Sequence, residues 1–464
     1  MPPDQQARLR ALPSVHQFLA SPQGEALCSE FGNGLCKLAL GQLLNGVRQC
    51  LQNGRLARVP DADALARDLR VRLLRLCRPA GRRAINATGI LLHTGLGRAP
   101  LCQEALDQLA GFDRYSVLQT DLDTGKRSRR EEKVEALLQE LTGCEAALVV
   151  NNNAAATMLV LNTLAAGKEV VVSRGQLIEI GGAYRMMDVM AMSGCRLREV
   201  GCTNRTHLSD YAAAVGEETG ALIHVHTSNY RIRGFAGAPD IKALAGLGRQ
   251  HGLPVIDDLG SGALVPLTPW GLPDEPLVPD SIKAGASVAC FSGDKLIGGP
   301  QAGILVGRRQ VVERLRKNPF ARMFRVGKMT LAVLEATLPH FLNDTFREAI
   351  PFYRMLERAI TDLRAQGERV TAALGDIPGL EAGLEEGAAY VGSGSIPDEG
   401  VPSVVVRLTC SGAPAADLAR RLRQHVPAIF GRVQEDALLL DMRTLAADEV
   451  DPVLDALREA TARD

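Results

Sequence analysis

Between residues 146 and 307 the chain alternates seven short β-forming runs with segments long enough for helices. The runs are AALVV (146–150), EVVVS (169–173), RLREV (196–200), ALIHVHTS (221–228), PVIDD (254–258), SVACFS (287–292) and AGILVG (302–307). Most are apolar throughout, the pattern of strands buried on both faces. Strands joined by helical crossovers run parallel, so the spacing predicts βαβ units and an α/β fold on a mostly parallel seven-stranded sheet. Ligands in such sheets sit beyond the carboxyl ends of the strands, which directs attention to the residues after each run.

The flanking regions have a different texture. After 330 a long helical stretch leads to a small α/β domain. There VPSVVVRLT, AIFGRV and ALLLDM read as strands, PAADLARRLRQH and DEVDPVLDALREA as helices, and YVGSGSIPDEG as a loop. The spacing thus predicts an N-terminal helical domain (1–84), a large domain (85–330) and a small C-terminal α/β domain (331–464). Charge separates the first from the rest. Overall, 53 Lys+Arg balance 53 Asp+Glu, yet residues 1–84 hold 13 against 6, a net of +7, which leaves −7 on the remaining 380.

In DADALARDLRVRLLRLCR, helical periodicity puts Leu65, Leu69, Leu73 and Leu76 on one face and Arg67, Arg70, Arg75 and Arg78 on the other. A solvated face and an RNA-phosphate surface both fit this pattern, and charge alone does not choose between them. Aromatics make up 4 % of the chain, which argues against a nucleic-acid reader built on base stacking. The ten cysteines form no Cys-x-x-Cys, the first twenty residues lack the apolar core of a signal peptide, and no run of 18 apolar residues occurs. The expectation is a reduced, cytoplasmic protein with no membrane span and no DNA partner. His224 and His226 alternate along one strand but lack a third ligand at suitable spacing, so no metal is predicted. His226, near the strand end, is the better candidate for a cofactor or substrate contact.

Three strand ends carry chemistry. After AALVV, Asn151, Asn152 and Asn153 open a helix whose first turn is alanine, leaving backbone N–H groups and room for a phosphate. An ordinary helix cap accounts for the same residues. Asp258 ends a buried strand and needs a cationic partner; the pyridinium nitrogen of pyridoxal phosphate and an arginine would serve equally well. Lys295 follows SVACFS in a glycine-rich turn, the partly desolvated setting that a Schiff-base lysine requires, with Ser292 three residues earlier as a donor to a cofactor phosphate. Aspartate then lysine, 37 residues apart with one helix between two strands, is the order of fold-type I pyridoxal enzymes.

The sequence resembles the bacterial selenocysteine synthases, the L-seryl-tRNA(Sec) selenium transferases. The likeness rests on INATGILLHTGLGRA, ALVVNNNAAA, EVVVSRG, EIGG, VGCTNRTHLSDY, VHTSNYRIRGF, DLGSGALV, FSGDKLIGGPQAGILVG and TLAVLEATL, in family order from about 85 to 340. The resemblance implies a fold-type I transferase of the aspartate-aminotransferase kind. Lys295 would hold pyridoxal 5'-phosphate as the internal aldimine and then serve as base. Asp258 would pair with the ring nitrogen, and Asn152 and Asn153 would lie at the phosphate. Arg174 and Asp294 become further site candidates, Arg174 for the cofactor. Arg98, Arg322 and Arg325 match arginines that hold the phosphate of the selenium donor, selenophosphate. The N-terminal domain would bind seryl-tRNA(Sec), which passes through an aminoacrylyl-tRNA to selenocysteinyl-tRNA(Sec). A homo-oligomer is implied, at least a dimer and in similar enzymes often a decameric ring of dimers.

Four positions depart from the family pattern: Gly95 for Asn, Ser128 for Gly, Gln176 for Glu and Gly327 for Asp. They bear on donor affinity and loop geometry rather than on reaction type. Two other readings compete. One is a pyridoxal lyase or isomerase acting on a small amino acid or amino sugar, which would not need the basic N-terminal region. The other is a tRNA-binding or assembly protein on an inactive enzyme fold, against which the intact Lys295 and Asp258 argue.

Overall fold

The computed structural model describes residues 3–462 apart from Arg78, Ala80 and Ala183. The chain divides into a helical unit, Met1–Arg83, and an α/β unit, Ala84–Asp464.

In the helical unit, α1 (Pro22–Phe31), α2 (Asn33–Gln52) and α3 (Ala62–Cys77) bury one apolar stripe each. Helix α1 starts cleanly because Ser21 accepts the Gly24 N–H at 3.2 Å and Pro22 occupies the first turn. Leu65, Leu69 and Leu73 enter a shared core with Phe18, Leu40 and Leu43, as the spacing requires, whereas Leu76, in the last turn of α3, stays exposed. Arg67 and Arg75 are exposed. Arg70 folds back on its own unit instead: its guanidinium bonds both carboxylate oxygens of Glu30, at 2.7 and 2.8 Å, and lies over the Phe31 ring. Arg78 lies outside the described residues.

All seven predicted runs form strands of one sheet: β1 (Ala146–Val150), β2 (Glu169–Ser173), β3 (Arg196–Val200), β4 (Thr219–Val225), β5 (Val255–Gly260), β6 (Val288–Ser292) and β7 (Gly303–Gly307). Their order is β1-β7-β6-β5-β4-β2-β3. Only β7 runs against its neighbours, pairing antiparallel with both β1 and β6; every other pair is parallel. The interior strands are buried residue by residue, which explains their unbroken apolar sequence. At the first residue of β7, a Cβ on Gly303 would run into the backbone carbonyl of Asn152, so the antiparallel strand passes directly under the asparagine turn.

A second, five-stranded sheet gathers Ala84–Ala87, Ala428–Gln434, Ala437–Asp441, Ser395–Cys410 and Leu380–Gly392 in that order. Two expectations change here. Ala84–Ala87 pairs parallel with Ala428–Gln434, so the segment just after the helical unit belongs to this C-terminal sheet and not to the large one. YVGSGSIPDEG is not a loop: residues 380–392 and 395–410 form a long antiparallel hairpin whose turn is Ser393–Gly394, the glycines serving a tight reversal. The predicted helices appear as Ala415–Gln424 and Val450–Thr461, packed on a core that includes Val404, Val406, Leu438 and Leu457.

Candidate functional site

The carboxyl ends of β1, β4, β5 and β6 surround a cavity of about 610 Å³, lined among others by Asn152, Asn153, His226, Asp258, Ser292, Lys295 and Arg98. Seven of the sequence candidates therefore meet in one place. Helix α4 (Asn153–Ala165) begins at its rim. Asn152 takes the cap position and accepts the Ala155 N–H at 2.9 Å, so the ordinary capping role is real and coexists with a place in the cavity wall. Asn153 is used differently from expectation. Its amide donates to Asp258 Oδ1 at 2.8 Å, which puts this side chain on the carboxylate rather than free for a phosphate.

Asp258 is 5 % exposed. Burial pushes its carboxyl pKa up; the Asn153 amide, the Thr157 hydroxyl at 3.1 Å from Oδ2 and the Lys295 charge pull the other way. Its hydrogen-bond partners are neutral donors, Asn153 and Thr157, and among the described residues no ion pair reaches it. Thr157 stands one helical turn after Asn153, a spacing that places both on one face of α4; the helical period from Asn153 is the sequence signal that points to it. Tyr184 also lines the cavity, and burial followed by the charge of Asp258 drives its phenol far above the usual range.

Lys295 is 6 % exposed, and burial and the nearby Arg98 lower the pKa of its amine. Its turn is pinned by backbone bonds from Gly298 N–H to Lys295 O and from Leu296 N–H to Ser261 O, at 2.9 and 3.3 Å. Arg98 sits in left-handed backbone, φ 65°, and its guanidinium reaches Asp294 Oδ2 at 2.8 Å. A non-glycine residue there costs on the order of 1 kcal/mol, and such strain concentrates at functional sites. Asp294 Oδ1 is buried with no protein partner. His226 reaches Glu275 Oε1 through Nε2 at 3.2 Å, while His224 pairs with Asp257 at 2.8 Å; each histidine of the strand thus has its own carboxylate and the two do not converge on a metal.

The five-stranded sheet contributes Ser393 and Gly394 to the same wall, and a short hairpin, Glu179–Ile180 with Tyr184–Arg185, closes another side. Glu179 and Ile180 open the EIGG stretch singled out in the sequence, whereas Ser393 and Gly394 are marked there only by a glycine-rich turn.

Two candidate groups do not arrive. Arg174 follows β2, but its guanidinium is held by Glu199 at 3.1 Å and by the Gly201 carbonyl, outside the cavity lining. Arg322 and Arg325 do not join Arg98. They line a separate hollow of about 560 Å³ with Arg127, Arg129, Arg130 and Arg316. Desolvation and the guanidiniums of Arg130 and Arg322 lower the pKa of Arg325. The two hollows share a hinge of backbone: Val150 bridges Arg325, and Asn151 N–H donates to Phe324 O at 2.9 Å. Of the four departures, Ser128 lines the arginine hollow. Gln176 accepts the Val225 N–H through its side-chain oxygen at 3.2 Å, and Gly327 caps the helix Lys328–Thr337 without a side chain. Outside both hollows, Cys102, Glu104 and His340 bring ligand atoms within 4.8 Å of one another, with His340 Nε2 3.4 Å from the half-exposed Glu104 carboxylate.

Pyridoxal phosphate fits this donor set. A buried carboxylate without a cationic partner, a buried lysine with a depressed pKa and a helix start opening on the cavity match its ring nitrogen, aldehyde and phosphate in turn. Among the described residues, no helix is long and apolar enough to cross a membrane.

Comparison with known proteins agrees. A solved D-glucosaminate-6-phosphate ammonia-lyase superposes with a TM-score of 0.57 at 22 % identity, covering 82 % of this chain and 96 % of that one, which establishes the fold. The L-seryl-tRNA(Sec) selenium transferase of Nitratidesulfovibrio vulgaris is 45 % identical over 97 % of this chain and 98 % of its own. That of Moorella thermoacetica is 45 % identical over 97 % of each. The family model of L-seryl-tRNA selenium transferase matches residues 84–446, and this chain belongs to that family.

Proposed function

We propose that the protein converts L-seryl-tRNA(Sec) to L-selenocysteinyl-tRNA(Sec) in the cytoplasm, with selenophosphate as selenium donor and pyridoxal phosphate held at Lys295. The observation that carries this reading is the meeting of Lys295, Asp258 and Arg98 in one cavity, in a chain whose relatives bear that name over nearly their whole length. The bound cofactor supplies an electron sink for the seryl Cα–H bond. Lys295, once released, takes the Cα proton, its depressed pKa favouring the neutral amine. Asp258 keeps the ring end of the cavity negative, and Asn153 and Thr157 hold its carboxylate in place. The β-hydroxyl leaves as water, taking up the proton that Lys295 removed from Cα, and opens the position that selenium fills as its bond to phosphorus breaks and phosphate is released.

Arg322 and Arg325 hold the phosphate of the donor in this reading, since clustered guanidiniums suit a dianion. Within one chain they and Arg98 line different hollows. A homodimer resolves this by setting the arginine hollow of one copy against the lysine cavity of the other, and assembly into a ring of dimers extends the same contacts. Exposed Tyr115, Val117 and Leu122, in the segment before the arginines, supply apolar surface for such an interface. Substituting Arg322 or Arg325 by alanine is expected to raise the KM for selenophosphate about 10- to 100-fold, the worth of one charge-assisted hydrogen bond, with a smaller change in kcat.

The helical unit binds the tRNA through its exposed arginines. Log affinity for tRNA falls linearly with log salt, and reversing Arg67 and Arg75 to Glu lowers that slope by about 2. Arg70, already committed to Glu30, contributes less. The decisive assay incubates the purified protein with selenophosphate and seryl-tRNA(Sec), with seryl-tRNA(Ser) as control. Selenocysteinyl-tRNA appears only with the first. Turnover of a free amino acid or amino sugar, undiminished by deletion of residues 1–83, would establish the lyase reading in its place.

A further inference from the structure

We infer that Glu275 is a positioning residue for the reaction: it fixes the His226 imidazole against the cavity and ties that ring to the turn carrying Lys295. The inference rests on the reading of the cavity as a pyridoxal phosphate site.

Glu275 belongs to no helix or strand. It lies in the segment GLPDEPL between two prolines, where an acidic residue is ordinarily solvated, yet it is 2 % exposed. Burying a carboxylate costs several kcal/mol unless partners replace its water. Two partners meet one of its oxygens. Ser261 Oγ donates to Glu275 Oε1 at 2.5 Å, and His226 Nε2 lies 3.2 Å from the same oxygen. Burial pushes the carboxyl pKa up, but the His226 bond and charge, the Ser261 hydroxyl and the charge of Arg231 outweigh it, so the net shift is downward and the group is an anion at neutral pH.

Both partners lead to reacting groups. The His226 backbone N–H donates to the Asp258 carbonyl at 2.8 Å, and its ring lines the cavity. Ser261 O accepts the N–H of Leu296, the residue after Lys295, at 3.3 Å. One anion therefore holds two walls of the cavity at a set separation. It also sets the Nε2 edge of the ring against a carboxylate while the residue lines the cavity. A structural acid that merely filled the core would have no need of a cavity-lining partner.

The test uses full-length protein loaded with pyridoxal phosphate and compares E275Q, H226Q and the double variant. E275Q keeps the shape and the capacity to accept from Ser261 but removes the charge. It is expected to retain one cofactor per chain, to lose most of the visible circular dichroism of that cofactor, and to turn over seryl-tRNA about 10- to 100-fold more slowly with KM for the tRNA unchanged. Because Glu275 acts through His226, the double variant should be no slower than H226Q alone. Additive losses in the double variant, or wild-type dichroism in E275Q, would overturn the inference. Should E275Q not accumulate as folded protein, H226Q, whose amide can still donate to the buried carboxylate, carries the test alone, and unchanged dichroism there is equally fatal. Wild-type protein that binds the cofactor with strong dichroism but makes no selenocysteinyl-tRNA would refute the proposed activity while leaving the spectroscopic comparison readable.

Discussion

Lys295→Ala is expected to lower selenocysteinyl-tRNA formation by about 10³-fold or more and to abolish the visible absorption of covalently held pyridoxal phosphate. The substitution removes the attachment point and the base together, and each such role is typically worth about 10²- to 10⁴-fold. Among the described residues that line the cavity nothing replaces it: the guanidinium of Arg98 is bonded to Asp294. Burial and Arg98 lower the pKa of the Lys295 amine, so the neutral nucleophile is available at a lower pH than for a surface lysine. Absorption titration of the wild type with pyridoxal phosphate at several pH values measures this directly. A variant that kept the wild-type visible band would refute the assignment of Lys295.

Asp258→Asn is expected to separate activity from stability. Turnover falls about 10²- to 10³-fold, the usual effect of removing one preorganised electrostatic partner, because the carboxamide cannot sustain a positive ring nitrogen. The melting temperature of the cofactor-free protein moves the other way. Burial raises the Asp258 pKa in the folded state above its unfolded value. The native chain then binds the proton more readily than the unfolded chain, so stability declines as pH rises from the ordinary carboxylate range through the raised native value, and the ionised group is a net cost at neutral pH. Asparagine removes that cost. Thermal denaturation of the two cofactor-free proteins at neutral pH and near pH 4 checks it: the gap in melting temperature is largest at neutral pH and closes on acidification. A variant less stable than wild type at neutral pH would refute this account.

The seven-stranded sheet was readable because burial on both faces leaves an apolar run that local sequence records directly. Lys295, Asp258 and Ser292 were readable for a related reason: a polar residue at the end of such a run has few purposes. What local sequence leaves unread has a common physical origin in long-range pairing. Ala84–Ala87 finds its partner strand more than three hundred residues away, at Ala428–Gln434, and no local period reports that. Arg98, Arg322 and Arg325 form one set by motif, yet the fold sends them to two hollows. Asn153 reads as a phosphate contact until Asp258 arrives beside it from β5. Glu275 was invisible because its neighbours are prolines and a polar segment, and only the burial of its carboxylate marks it.

Gly303 carries a consequence for how this family can vary. It has no functional group and lines neither hollow, yet any side chain there would displace the carbonyl of Asn152 and with it the start of α4. The cradle is thus dimensioned by the thickness of bare backbone on the strand beneath it. Mutational tolerance at the site will not follow proximity to the chemistry, since position 303, outside both hollows, admits no methyl group. Deep mutational scanning should register it as one of the least replaceable positions in the chain.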